Sequence, residues 1–338
     1  MILQLRIFYS LLCLFGSVSL CRAQSENPIR VQFDSDIRLL SSLGHNDTQS
    51  IYSSSLQLES ALAGGWNAEV LAKLKDRPFL SLPGSRDIIP QQISLEKEWK
   101  TNRLQAGLVR LPFGIYNHQE TYASGLIDYP LPRVDYGLYS VDWGVPGAKW
   151  SGGSAKLQYE AAGFAGRSSG VWGTTNESGG AAVRIQSYAP NVIVGISNWT
   201  GYLGLPDEMG GGSRRRSVAI SGIDVRYTRP HLLVRGEMLY GTLGGKRMSG
   251  GYLDLYYHLP KYEKFTLVAR VESLRPDPSE PTGRQVTLGI RYTAAADWTF
   301  AINWRRNNFD RAYQDSWTPY SGRSGMLLFQ IYHKSRLR

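Results

Sequence analysis

Along most of the chain, apolar and polar residues alternate one by one in short runs. In Gln285 to Thr293 (QVTLGIRYT), Val286, Leu288, Ile290 and Tyr292 share one face, and Thr287, Gly289 and Arg291 the other. Thr299 to Arg305 repeats the pattern, with Phe300, Ile302 and Trp304 against Ala301, Asn303 and Arg305. Successive side chains of a strand point to opposite faces, so each run predicts a β-strand with one apolar face. Ala181 to Tyr188, Val192 to Thr200, Val218 to Tyr227, Leu232 to Tyr240, Tyr252 to His258, Phe265 to Leu274 and Leu327 to His333 carry the same parity. Clusters of Gly, Pro, Asn and Asp separate them, as turns require. Helical periodicity is scarce, and no stretch after residue 23 stays apolar for the roughly 18 residues of a membrane-crossing helix.

Alternation alone suits a soluble sandwich as well as a membrane barrel. Three features favour the barrel. The apolar faces carry large side chains, the opposite faces carry Arg, Gln, Asn, Ser and Gly, and aromatics (Trp143, Trp150, Trp199, Tyr202, Tyr240, Tyr256, Tyr257, Trp298, Tyr332) gather near strand ends. A barrel in lipid needs an apolar outside, tolerates a polar lumen and sets Tyr and Trp at its two interfaces. The expected fold is therefore all-β, a transmembrane antiparallel β-barrel of about 16 strands, with 14 or 18 as alternatives because the region before residue 100 is ambiguous. Ala189-Pro190-Asn191, Arg229-Pro230-His231 and Ala294 to Asp297 read as tight turns on one side, and Gly201 to Arg216 and Asn307 to Arg323 as longer loops on the other.

The N-terminus changes the picture of where the chain works. Residues 1–23 place Arg6 before an apolar run from Ile7 to Leu20 and end in Cys21-Arg22-Ala23, the form of a secretory signal cut after Ala23. A lipoprotein reading, with Cys21 acylated, is disfavoured by the bulk of Leu20. Both cysteines, Cys13 and Cys21, lie in the leader, so residues 24–338, the expected barrel, carry no thiol. That part has about 315 residues with no linker that would divide it. The chain's formal charge of +10 stays basic after cleavage and favours anionic partners.

Parity also locates candidate chemistry. Arg184, Arg226, Arg235, Arg270, Arg291 and Arg305 fall on the polar faces of successive strands and would point into one lumen. Guanidinium groups hold carboxylate or phosphate oxygens in a fork, so such a wall favours anions. The plainer alternative is an unselective wall in which they pair with acids such as Asp224, Glu237 and Glu272. Leu108 to Tyr136 is rich in Pro and Gly and loses alternation. Its part after the strand, 111–136, either folds inward, bringing Arg110, His118, Glu120, Asp128 and Arg133 to a constriction, or stays outside as an external loop. Gly166-Arg167-Ser168-Ser169-Gly170 matches G-x-S-x-G, but Val171 to Asn176 cannot form the helix that a nucleophile elbow needs, so a polar loop or turn is expected. The five histidines are scattered and imply no metal site, and no cofactor is implied. Arg214-Arg215-Arg216 reads as a basic loop facing lipid head groups, with no nucleic acid as partner.

Arg110-Leu111-Pro112-Phe113-Gly114, followed by Ile115-Tyr116-Asn117, resembles an element of the phosphate-selective porin-like family of bacterial outer-membrane channels. The resemblance implies a barrel of about 16 strands, often a homotrimer, that passes anions such as phosphate or carboxylates, or other small solutes. The family's anion-binding arginines cannot be matched to positions here. The chain is also short for that family and ends in His333-Lys334-Ser335-Arg336-Leu337-Arg338 where a terminal aromatic is usual, leaving Phe329 and Tyr332 as substitutes. The expected activity is passive diffusion through the bacterial outer membrane, not enzymatic. The alternatives are a barrel enzyme of the lipid hydrolase class and a plugged, surface-binding barrel.

Overall fold

A computed structural model describes residues 29–43, 48–78, 88–115, 124–127, 130, 144–169, 175–206, 213–275, 282–295, 297–308 and 325–337. The expected leader lies outside them. The strands are β1 (Arg30–Leu43), β2 (Thr48–Leu62), β3 (Trp66–Pro78), β4 (Ile88–Trp99), β5 (Asn102–Arg110), β6 (Gly144–Gly153), β7 (Leu157–Ser169) and β8 (Thr175–Ala189). They continue as β9 (Val192–Pro206), β10 (Ser213–Arg229), β11 (Leu232–Leu243), β12 (Lys246–His258), β13 (Phe265–Arg275), β14 (Gly283–Ala295), β15 (Trp298–Asn308) and β16 (Gly325–Leu337). Each pairs antiparallel with the next, and β1 pairs with β16, so the sixteen strands form one closed sheet. Closure leaves no edge with unpaired amides, the condition for a sheet to sit in hydrocarbon.

The seam between the first and last strands is reinforced from inside. The Tyr332 hydroxyl donates to Asp34 Oδ1 at 3.0 Å, and Gln330 Nε2 donates to Asp36 Oδ1 at 2.7 Å. Tyr332 therefore faces the lumen and is no substitute for a terminal aromatic at the lipid interface. Phe329 does face outward.

Alternation decides inside and outside. Ile196, Ile223, Met238, Tyr240, Val271, Leu288 and Ile302 stand exposed on the outer wall, while Ser197, Asp224, Glu237, Glu272, Thr287 and Asn303 of the same strands are buried inside. A belt of large apolar groups across these strands is stable against hydrocarbon and not against water. Shifting any strand by one residue would exchange its faces, so this pattern holds the register. One irregularity lies between Leu71 and Ala72 of β3, opposite Pro90 of β4. Pro90 has no N–H to give the ladder, and a bulge accommodates it.

The two ends differ. One end carries short connections, among them the 3-10 turn Ala63–Gly65, where Gly64 and Gly65 adopt φ 72 and 74, values that favour glycine. The expected turns at residues 189–191, 229–231 and 294–297 lie at this end. The longer connections leave from the other. The one expected at 201–216 is shorter than the sequence suggests, because β9 runs to Pro206 and β10 starts at Ser213, while the one expected at 307–323 falls between Asn308 and Gly325. Ladder hydrogen bonds carry the strands past the point where the apolar pattern fades. For the same reason Arg214 to Arg216 belong to β10 and not to a loop, and Gly166 to Ser169 belong to β7 and not to a polar turn. Turn-side aromatics outside β13–β16 form a chain of ring contacts, Phe265 to Tyr292 at 4.8 Å, Tyr292 to Phe300 at 6.4 Å and Trp298 to Phe300 at 6.5 Å between centroids. Trp199, Tyr256 and Tyr332, expected in such girdles, are buried on the inner face.

Candidate functional site

The inner wall carries an apolar and a polar part, and two described pieces of one segment, residues 111–115 and 124–127, lie against different sides of it. After β5 ends at Arg110, residues 111–115 turn into the lumen. Phe113 is wholly buried with its ring 6.4 Å from that of Trp199, edge-on, and Trp199 also meets Phe164 at 6.4 Å. Val109, Leu111, Val145, Val218, Ile220, Leu239, Met248, Tyr252 and Leu274 complete this cluster. Gly222 of β10 keeps the wall thin there, since a Cβ would lie 2.7 Å from Leu239 and 3.6 Å from the Phe113 ring. Polar contacts fix the backbone: Gly114 N–H donates to Ser197 Oγ at 3.0 Å, and Arg184 Nη1 donates to Gly114 O.

Residues 124–127 meet the opposite wall. Ile127 N–H donates to Asn303 Oδ1 at 2.9 Å, and Asn303 Nδ2 donates to Gly125 O at 2.9 Å. Ile127 packs with Ala301, Met326 and Leu328, and Leu126 with Tyr256 and Val268. Gly125, at φ +89, lies so close to Arg291 that a Cβ would stand 2.8 Å from that of the arginine. The described parts of the 111–136 segment thus lie inside the barrel. Of its candidate residues, Arg110 is half-buried at the end of β5, its Nη2 donating to Gln91 Oε1 at 2.8 Å. His118, Glu120, Asp128 and Arg133 lie outside the described residues.

All six candidate arginines are on the inner face, but they are not equivalent. Arg184 reaches across β9 to Asp224 of β10, its Nη2 donating to Oδ1 at 2.8 Å and Oδ2 at 3.0 Å. Gly195 makes this crossing possible, because a Cβ there would lie 2.4 Å from the Asp224 carboxylate. Arg235 and Arg270 flank Asp254 on β12. Arg235 Nε donates to Oδ2 at 2.9 Å, Arg270 Nε to Oδ1 at 2.6 Å and Arg270 Nη2 to Oδ2 at 2.9 Å. Asp254, fully buried, was not singled out from the sequence, although it shares the polar parity of β12 with Tyr252 and Tyr256. Arg305 is buried beside Met326, whose Sδ lies 3.3 Å from its Nη2. Arg226 and Arg291 are half-buried; Arg226 stands opposite Arg235 in the ladder, and Arg291 Nη2 donates to Thr266 Oγ1 at 3.2 Å. Burial on both sides makes paired guanidinium groups rigid wall elements, and the half-buried pair is the part of the set with surface left for a solute.

The turn-side mouth holds two recesses that share Arg103. One of 560 Å³ includes Glu98, Asn102, Glu160 and Gln186 in its wall, and one of 400 Å³ includes Arg30, Glu59, Glu69 and Glu96. Arg103 Nε lies 3.3 Å from Glu96 Oε1, and Glu59, Glu69, Glu98 and Glu160 stand in the walls of the same two recesses.

No protein-family model matches the chain, and no curated protein sequence does. Solved structures do match its fold. OmpF of Salmonella typhi, in complex with daunomycin, superposes with a TM-score of 0.66 at 9% identity, covering 91% of this chain and 98% of that one. The anion-selective porin from Comamonas acidovorans gives 0.61 at 8% identity, covering 92% and 99%. The outer membrane channel DcaP of Acinetobacter baumannii gives 0.63 at 9% identity, again covering 92% and 99%. These matches support the barrel architecture and not the phosphate-selective family in particular. The chain shares the fold of these barrels: a closed antiparallel sheet of sixteen strands, apolar outside, with residues 111–115 and 124–127 of its own inside the lumen.

Proposed function

We propose that this protein is a bacterial outer-membrane channel for passive diffusion of small solutes, with a preference for anions. The observation that supports it best is the pairing of an apolar outer belt with an inner wall that carries Arg, Asp, Glu, Gln and Asn on sixteen closed strands. A barrel of this size encloses more space than its wall side chains fill. Residues 111–115 and 124–127, inside the barrel, narrow that space. Among the described residues of β8–β15, the six candidate arginines, with Arg216 and Lys246 continuing the inward faces of β10 and β12, outnumber the inward acids Asp224, Glu237, Asp254 and Glu272. The surplus positive charge raises the local concentration of anions, and the half-buried Arg226 and Arg291 meet them. Phosphate and carboxylates are the solutes whose oxygens suit a guanidinium fork. The Comamonas barrel with the same fold is an anion-selective porin.

In this reading the leader is cut after Ala23, the mature barrel works without a cofactor and catalyses no reaction, and copies assemble as a homotrimer. Planar-bilayer recording in a salt gradient is the deciding experiment. Stepwise conductance with a reversal potential of the anion-preferring sign is expected. Insertion without conductance refutes the channel, and a cation-preferring potential refutes the selectivity. N-terminal sequencing of the membrane-extracted protein should begin at Gln24.

A further inference from the structure

On β10–β15 the outer wall carries charge of one sign. The acids of these strands, Asp224, Glu237, Asp254 and Glu272, are buried on the inner face. Among the described residues, the charged side chains on the outer face are arginines: Arg229 at the turn side, and Arg215, Arg247, Arg275, Arg284 and Arg306 towards the long loops. Parity gives their direction. Arg306 continues the face of Ile302 and Trp304, Arg284 that of Val286 and Leu288, Arg275 that of Val271, and Arg247 that of Leu253 and Leu255.

Register then brings these side chains into a row. Ser249 pairs with Arg275, Ser273 with Arg284, and Val286 with Arg306. Each arginine is thus two residues off the partner position of the next, a diagonal spacing of about 7 to 8 Å between Cα atoms. Arg215 extends the row onto β10, its guanidinium 5.0 Å over the ring of Tyr202. All five are exposed. The row sits just beyond the outward-facing Val271, Val286, Leu288 and Ile302. The opposite rim of the same strands carries the aromatic chain from Phe265 to Trp298, so the two rims suit different head-group layers.

We propose that this row docks phosphate-bearing head groups of lipids in the leaflet on the long-loop side. A guanidinium binds phosphate oxygens in a bidentate fork, and diagonal spacing lets one lipid with two phosphates engage neighbouring arginines. Like charges this close repel, and phosphate between them reverses that term. Lipid bound here would pack on Val271, Val286, Leu288 and Ile302 below and staple the wall of β12–β15 to its leaflet.

This inference rests on the transmembrane reading above, and its test separates the two. The full mature chain in nonionic detergent is mixed with a diglucosamine lipid carrying two phosphates, or with phosphatidylcholine, and retained lipid is counted by native mass spectrometry. Wild type should retain the bisphosphorylated lipid at least about tenfold better than R247Q/R284Q/R306Q, given roughly fivefold per cation near an anionic surface. It should also prefer that lipid to phosphatidylcholine. The triple lysine variant should recover part of the difference, because it keeps charge and loses the fork. Equal retention by wild type and the glutamine variant overturns the proposal, as does equal retention of both lipids. Bilayer conductance of the same preparations reports whether the barrel is intact. Silent protein that still discriminates between the lipids removes the channel and leaves the lipid site. Should the triple variant fail to fold, R284Q alone is to show the same direction at about fivefold.

Discussion

Asp254→Asn is the most informative single change in the lumen. The carboxylate accepts guanidinium hydrogen bonds on both oxygens, among them one from Arg270 Nε at 2.6 Å on Oδ1 and, at 2.9 Å on Oδ2, those from Arg235 Nε and Arg270 Nη2. Asparagine keeps the shape but offers one oxygen. If that oxygen takes the Oδ2 position, the Arg270 Nε donor faces an NH2; in the other orientation two donors do. Each charge-assisted bond contributes about 1.5 to 3 kcal/mol. Neutralising the acid also leaves Arg235 and Arg270 to repel each other, and removing one partner of a buried ion pair costs about 3 to 5 kcal/mol. Asparagine retains some bonding, so the expected destabilisation is about 3 kcal/mol. It should appear as a lower denaturant midpoint in equilibrium unfolding from lipid vesicles. The lumen also gains one positive charge, so the reversal potential in a salt gradient should move further towards anions. A stability change under about 1 kcal/mol, or a shift towards cations, refutes the view that Asp254 holds the two arginines in check.

Other expectations follow from the same geometry. Phe113→Ala removes a fully buried ring packed on Trp199 and should cost about 3 to 5 kcal/mol in unfolding experiments; by loosening residues 111–115 it should also raise single-channel conductance. Asn303→Ala frees residues 125–127 from the opposite wall and should give noisier open-channel current with a stability loss of about 2 kcal/mol, whereas steady current indicates that other contacts hold the segment. Gly195→Val places a side chain against the Asp224 carboxylate and should displace the pair with Arg184, read as poor refolding yield relative to Gly163→Val, where a Cβ meets nothing. Ile223→Arg puts a charge on the outer wall and should cost about 2 to 4 kcal/mol, while an unchanged midpoint shows that this face does not meet hydrocarbon.

The strands from β8 onward were legible because each buries one face, and a period of two survives in composition. Val286, Leu288, Ile290 and Tyr292 could be read outward with no knowledge of their neighbours, and so could the inward direction of Arg184 to Arg305. The strands before residue 100 were harder. Serines occupy both faces of β2 in SIYSSSLQ, and Pro90 with the bulge at Leu71 breaks the parity of β3 and β4. Aromatic placement misled for a related reason. Trp199 and Tyr256 sit near strand ends in the sequence, yet their parity is that of the lumen, where the folded-in segment gives them an apolar partner.

By itself the sequence determined the strands from β8 onward and which face of each is apolar, because side-chain alternation is a property of each strand alone. It also set which arginines point inward. Only the tertiary structure decided what those arginines do to one another. Arg184 meets Asp224 across a strand that contributes Gly195 at the crossing, and Asp254 stands between Arg235 and Arg270 through the register of three strands. The placement of residues 111–115 and 124–127 is of the same kind: an apolar Leu-Pro-Phe could have stayed outside, and it turns inward because the lumen wall presents Trp199, Ser197 and Asn303 where side chains and amides of these residues need them. Such matches depend on which strands become neighbours and at what stagger, and that is settled only when the barrel closes.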